Sequence, residues 1–171
     1  MKRLVDTVLK HWPLAALLVS AAMLATAHGF ETFGGYSPCT LCLKQREVYW
    51  TAGFLAAAAW VVGNIPAGRR WVWVGNLLLA AVFAYGLYLA IYHAGAEWKF
   101  WPGPAACSGS GGPVSLDDLK ELLGKNNLKP PACDQIVWSF LGLSMAGWNA
   151  LVSLGLVVAS LWAGLRARRA A

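Results

Sequence analysis

Four long apolar stretches constrain this chain more than any other feature. They run at about 13–30, 47–64, 71–92 and 145–165, each close to the roughly 20 helical residues that cross a hydrocarbon core. The first holds no Lys, Arg, Asp or Glu. Glycine and proline inside them are no objection, because a helix in a bilayer keeps its own hydrogen bonds. The rest of the chain cannot compensate for so much apolar surface. Only 13% of the 171 residues are charged, against roughly 25% in a soluble domain, too few to cover a water-exposed globule. The expectation is an all-α membrane protein: one domain over 1–171, built as a four-helix transmembrane bundle.

Charge placement orients the spans. Lys2, Arg3 and Lys10 precede the first, Arg69 and Arg70 fill the turn between the second and third, and Arg166, Arg168 and Arg169 follow the fourth. The positive-inside rule makes these segments cytoplasmic, both termini included, and leaves loops 31–46 and 93–144 outside. Seven of the eight acidic residues lie on that outer side or at its edge. The pI near 9.4 is therefore a topology signal, and nucleic acid is not an expected partner. Lys2-Arg3, the apolar run and Ala25-Thr26-Ala27 also have the layout of a cleavable signal peptide,. A retained first helix is the reading adopted. Trp12, Trp71, Trp73, Trp98, Trp101, Trp138 and Trp148 fall near span ends, where aromatic rings with one polar edge favour the headgroup layer.

All four cysteines fall on the outer side: Cys39 and Cys42 in the first loop, Cys107 and Cys133 in the second. Disulfides persist outside a bacterial inner membrane. Four cysteines allow three connectivities, and the sequence does not choose among them. The two pairs nevertheless differ physically. A 107–133 bridge would close a loop of about 26 residues, worth about 3.5 kcal/mol in the chain-entropy model. A 39–42 bridge closes almost nothing, so that Cys-Thr-Leu-Cys element suits a redox couple better than a staple. It sits where the chain re-enters the bilayer, and the N-terminus of the second helix would favour a thiolate there. Arg46 follows Cys42 by one helical turn and can lie over the same face; Lys44 reads as a solvated interfacial charge. A metal site is not expected, since a second Cys-x-x-Cys knuckle is missing.

A pair that oxidises a soluble, strongly oxidising dithiol carrier near −120 mV needs an acceptor of higher potential. A glutathione pool near −240 mV lies uphill by roughly 5.5 kcal/mol. A quinone in the membrane is the fitting chemical class. The run Ser108–Gly112 reads as a flexible linker rather than a nucleotide loop. Ser115–Gly124 follows as a short amphipathic helix in the second outer loop, with Leu116, Leu119, Leu122 and Leu123 on one face and Ser115 and Asp118 forming a capping-box-like start,.

Taken together, Pro38-Cys39-x-x-Cys42-x-x-x-Arg46, Trp101-Pro-x-Pro104-x-x-Cys107 and Cys133-Asp134…Trp138-x-Phe140-Leu-Gly-Leu143-x-Met145 resemble the disulfide bond formation protein B family (DsbB) over almost the whole chain. The potentials above are those of that same oxidation system. The resemblance implies an inner-membrane, multi-pass thiol:quinone oxidoreductase that reoxidises a periplasmic DsbA-like oxidase and passes electrons to ubiquinone or menaquinone. It implies that Cys107 forms the mixed disulfide with the oxidase and Cys133 is released. Cys133 then attacks Cys39, and Cys42 becomes the thiolate facing the quinone. Arg46 and His93 match family positions near the ring; from the sequence alone, His93 reads as an interfacial histidine with a satisfied hydrogen bond. Two departures stand out: Gln45 where some members carry an acid, which Glu47 does not replace, and the Gly/Ser-rich start of the 107–133 segment. The competing readings are a membrane scaffold stapled by two disulfides and an oxidase with a dedicated sulfotransferase-type client. A vitamin-K-epoxide-reductase-like protein is disfavoured, because its active pair lies near a late span.

Overall fold

The computed structural model describes residues 7–104 and 133–169. Cys107, the Gly/Ser-rich run and the expected amphipathic helix at 115–124 lie outside the described residues. Four long helices account for most of the rest: α1 (Trp12–Thr32), α2 (Thr40–Asn64), α3 (Val72–Glu97) and α4 (Met145–Arg169). A single 3₁₀ turn, Arg69–Trp71, leads into α3. By length and composition, three of the four are apolar enough to cross a membrane: α1, α3 with its 3₁₀ lead-in, and α4. Helix α2 is less apolar because its first two turns carry Lys44, Gln45, Arg46 and Glu47.

Two expected boundaries shift, and both shifts build the site. Helix α2 starts at Thr40 instead of about 47, so the first outer loop shrinks and Cys42, Gln45 and Arg46 are helical. Cys39 caps this helix: its sulfur accepts the Cys42 backbone N–H at 3.2 Å, supplying one of the acceptors that a helix N-terminus lacks. Helix α3 continues to Glu97, so His93 lies within a helix and not at the start of a loop.

The helices pack as neighbours, with α3 against α4 and α2 between α1 and α3. Leu79, Phe83, Ala16, Ala52, Ala56 and Leu156 form the closed part of the interior. Small residues permit this approach: a Cβ on Gly86 would lie 2.9 Å from a Val48 methyl. Trp12 Nε1 donates to Ser160 Oγ at 2.9 Å, tying α1 to α4. Large apolar side chains such as Leu18, Phe54, Tyr88 and Trp162 point outward and are exposed. That inversion suits a lipid solvent and would be an aggregation hazard in water.

Before α4 the chain makes a small antiparallel hairpin, β1 (Ser139–Phe140) and β2 (Leu143–Ser144), with Phe140 opposite Leu143. Its two-residue turn puts Leu141 at φ 51° and Gly142 at φ 80°, the left-handed pairing that matches strand twist. Lys99 Nζ bonds both the backbone oxygen and the carboxylate of Asp134 at 2.7 Å. This exposed tie joins the end of α3 to the residue after Cys133, and the Lys99 ammonium holds the Asp134 carboxyl below its ordinary range.

Candidate functional site

The start of α2 and the end of α3 converge on one buried cluster. Cys39 and Cys42 are free thiols with sulfurs 2.7 Å apart. Cys39 is buried and Cys42 half-buried. Both lie ahead of the apolar stretch of α2. The two sulfurs share one hydrogen bond in which either thiol can donate, and Arg46 follows Cys42 by one turn of α2. The bond to Cys42, and then burial, push the Cys39 thiol above its ordinary range. The backbone N–H at the start of α2 goes to the Cys39 sulfur.

His93, expected at the interface, is buried. Its Nε2 lies 3.7 Å from Cys39 Sγ and 3.8 Å from Glu97 Oε1. The Cys39, Cys42 and His93 ligand atoms all fall within 4.8 Å of one another, a grouping that resembles a metal set. Two thiolates on one zinc, each at about 2.3 Å in a tetrahedron, would stand roughly 3.7 Å apart. The observed sulfur separation is about 1 Å shorter, which suits a pair that exchanges a covalent bond.

Cys133 is fully buried in the same cluster as Cys39 and Leu41 and is disulfide-bonded. Its sulfur lies 3.5 Å from Thr40 Oγ1. Three of the four expected cysteines thus meet at the head of α2.

On the other side of the pair, a cavity of about 440 Å³ opens between α1, α2, α4 and the hairpin. Cys42, Arg46 and His93 all line it. Most of the wall is apolar, including Met23, Leu24, Phe30, Trp138, Met145 and Val152. Arg46 is held at this wall by Glu31 on α1 and by the Ala27 carbonyl at 3.1 Å. An apolar slot with a few convergent polar groups is the usual form of a small-molecule site. Its mostly apolar wall, with Cys42, Arg46 and His93 at one side, has the chemistry to take an apolar ring carrying polar oxygens.

Sequence reasoning missed the interior of this site. Gln45 Nε2 lies 3.0 Å from His93 Nδ1, Asn149 Nδ2 donates to Gln45 Oε1, and the Tyr49 hydroxyl donates to Asn149 Oδ1. Glu97, one turn after His93, accepts from Ser144 Oγ. The available signal was polar side chains at helical spacing inside or bordering apolar stretches, which is costly in a membrane and points to function. Gln45 and Tyr49 stand one turn apart on α2; Asn149 and Ser153 stand one turn apart on α4.

Residues 9–163 match the family model described as disulfide bond formation protein DsbB. The chain is 36% identical over 155 residues to disulfide bond formation protein B of Marinobacter nauticus, covering 87% of this chain and 88% of the relative. It is 34% identical over 149 residues to disulfide bond formation protein B 2 of Pseudomonas entomophila, at 85% and 84% coverage. With the Xanthomonas euvesicatoria protein of the same description it shares 31% over 163 residues, at 91% and 90%. No solved structure matches.

Proposed function

The chain belongs to the DsbB family of membrane disulfide bond formation proteins, and from that premise we propose that it is a thiol:quinone oxidoreductase serving a periplasmic DsbA-like oxidase. One observation carries the reading. Cys39 shares a buried cluster with Cys133 and touches Cys42, which lines an apolar cavity.

In this reading the reduced oxidase attacks Cys107 of the 107–133 disulfide, and Cys133 leaves as a thiolate. Cys133 attacks Cys39 of the 39–42 disulfide, and Cys42 leaves as a thiolate at the cavity. The oxidase's second thiolate then attacks its own sulfur in the mixed disulfide and releases Cys107, and Cys107 attacks Cys133 and releases Cys39. Each exchange forms one S–S bond and breaks one, so after all four the oxidase carries a disulfide and two electrons have moved to the inner pair. A ubiquinone or menaquinone held in the cavity would accept those two electrons with two protons and depart as the quinol. The chain supplies position and electrostatics. Arg46 presents a fixed cation at the wall, with two of its five N–H donors holding Glu31 and the Ala27 carbonyl,. His93 lies beside the sulfurs, while Met23, Leu24 and Phe30 keep water out. The four helices form four spans of the inner membrane with both termini cytoplasmic, placing the cysteines on the oxidising side.

Anaerobic turnover of the purified protein with a reduced DsbA-like oxidase tests this reading, with ubiquinone and menaquinone supplied separately. One quinol per oxidase disulfide is expected with the native quinone. Oxidase that stays reduced with both quinones would contradict it.

A further inference from the structure

The contact between Gln45 and His93 carries information beyond proximity. The atom of Gln45 facing His93 Nδ1 is the amide nitrogen, at 3.0 Å. An amide nitrogen can only donate. His93 Nδ1 must then accept, so in the neutral ring the proton sits on Nε2. That nitrogen is the one facing Cys39 Sγ at 3.7 Å and Glu97 Oε1 at 3.8 Å.

The amide belongs to a chain of donors that runs in one direction. The Tyr49 hydroxyl donates to Asn149 Oδ1, which leaves Asn149 Nδ2 to donate to Gln45 Oε1. Gln45 Oε1 is thereby committed to Asn149, and its Nε2 to the histidine. Gln45, Asn149 and His93 are all buried, so turning the Gln45 amide alone would set its nitrogen against Asn149 Nδ2 and leave groups unpaired. Only a concerted reversal, with the Tyr49 hydroxyl turned to Ser153 Oγ at 3.3 Å, would keep every group paired. We propose that Gln45 is a positioning residue that fixes the tautomer of His93, presenting an Nε2–H donor to the Cys39 sulfur and to Glu97.

The consequence for the chemistry rests on the thiol–quinone reading, but the tautomer itself does not. With Nδ1 occupied and Nε2 already protonated, His93 does not remove the Cys39 proton. It donates a hydrogen bond, joining the Cys42 backbone N–H in stabilising negative charge on Cys39 whenever that sulfur is a leaving group. Glu97 faces the same Nε2–H and is held by Ser144. The ring proton therefore has a second acceptor while Cys39 is bonded to another sulfur.

The test reads the ring directly. Nitrogen-15 spectra of the full-length protein, labelled at histidine, report which ring nitrogen carries the proton through the two shifts and their couplings to the ring C–H protons. The His93 signals are assigned by their absence in His93→Gln. The wild type in the neutral-ring range is expected to show a single tautomer protonated at Nε2. Gln45→Met keeps the length of the side chain and removes the donor, so the two nitrogen shifts should move toward each other as both tautomers populate. Tyr49→Phe leaves Gln45 in place but releases Asn149, and it should give a smaller movement in the same direction. A wild-type proton on Nδ1 would overturn the proposal, as would a spectrum unchanged in both variants. None of these readings requires turnover, so failure of the quinone assay and failure of the tautomer assignment remain separate results.

Discussion

The two halves of α2 face the same interior and meet it in opposite ways. Its first half turns Cys42, Gln45 and Tyr49 toward a cavity and a hydrogen-bonded network. Its second half places Ala52 and Ala56 in one buried apolar cluster with Leu79 and Phe83. One helix thus combines an open polar site with a close-packed anchor. The difference shows where stability and chemistry are separated. Tight packing at one end holds the helices in register, and the other end can then keep polar groups and a cavity, which cost stability.

Substitutions at each end should separate the two roles, and the largest effect is expected at the open end. Cys42→Ser removes the sulfur at the cavity wall and should lower quinone-dependent turnover by about a thousandfold or more, measured as quinol formed anaerobically, while the thermal unfolding midpoint in detergent barely moves. Wild-type turnover in that variant would remove Cys42 from the reaction. At the closed end the order reverses. Phe83, 1% exposed, should cost about 3–5 kcal/mol as Phe83→Ala, read from equilibrium unfolding in detergent. Loss of turnover without loss of stability there would dissolve the distinction between the halves.

Arg46→Ala sharpens the comparison within the open half. Arg46 is bound to α1 through Glu31 and Ala27, so its loss should act on cavity occupancy more than on the sulfurs. The expected result is a quinone KM raised about tenfold, near 1.4 kcal/mol, with the exchange between oxidase and cysteines retained in single-turnover trapping. An unchanged KM would take Arg46 out of the cavity's function.

The smallest effect belongs to the exposed Lys99–Asp134 tie. Its carboxyl is held below the ordinary range. Any stability it adds is therefore present above the unfolded carboxylate pKa and is lost as pH falls through the folded one. Lys99→Ala should flatten that acid-side dependence and change little near neutrality, because exposed pairs are strongly screened. A pH profile of the unfolding midpoint for both proteins checks it.

Much of this was legible in the residues because two strong signals do not depend on tertiary detail. Apolar runs give the long helices, and the spacing of the Cys39–Cys42 pair before Arg46 gives the redox element. Boundaries were less legible where polar residues sit inside a helix. Lys44, Gln45 and Arg46 read as loop beside the apolar run that follows, yet Cys39 caps a helix that includes them. His93 was placed at the interface because nothing in its neighbourhood names a partner distant in sequence. Its partners, Gln45 and Cys39, come from another helix. The chain through Asn149 was invisible for the same reason, since it joins residues 104 positions apart.

The central claim is that the inner pair passes electrons between an oxidase at one face and a quinone at the other. Thiol trapping resolved at each cysteine tests it most directly, with the wild-type protein held anaerobically with reduced oxidase before and after ubiquinone is added. The account expects Cys39 and Cys42 to become trappable without quinone and to be protected once it is supplied. Cysteine labelling that ignores the quinone, with the 39–42 pair oxidised throughout, would contradict it and favour a scaffold stapled by disulfides.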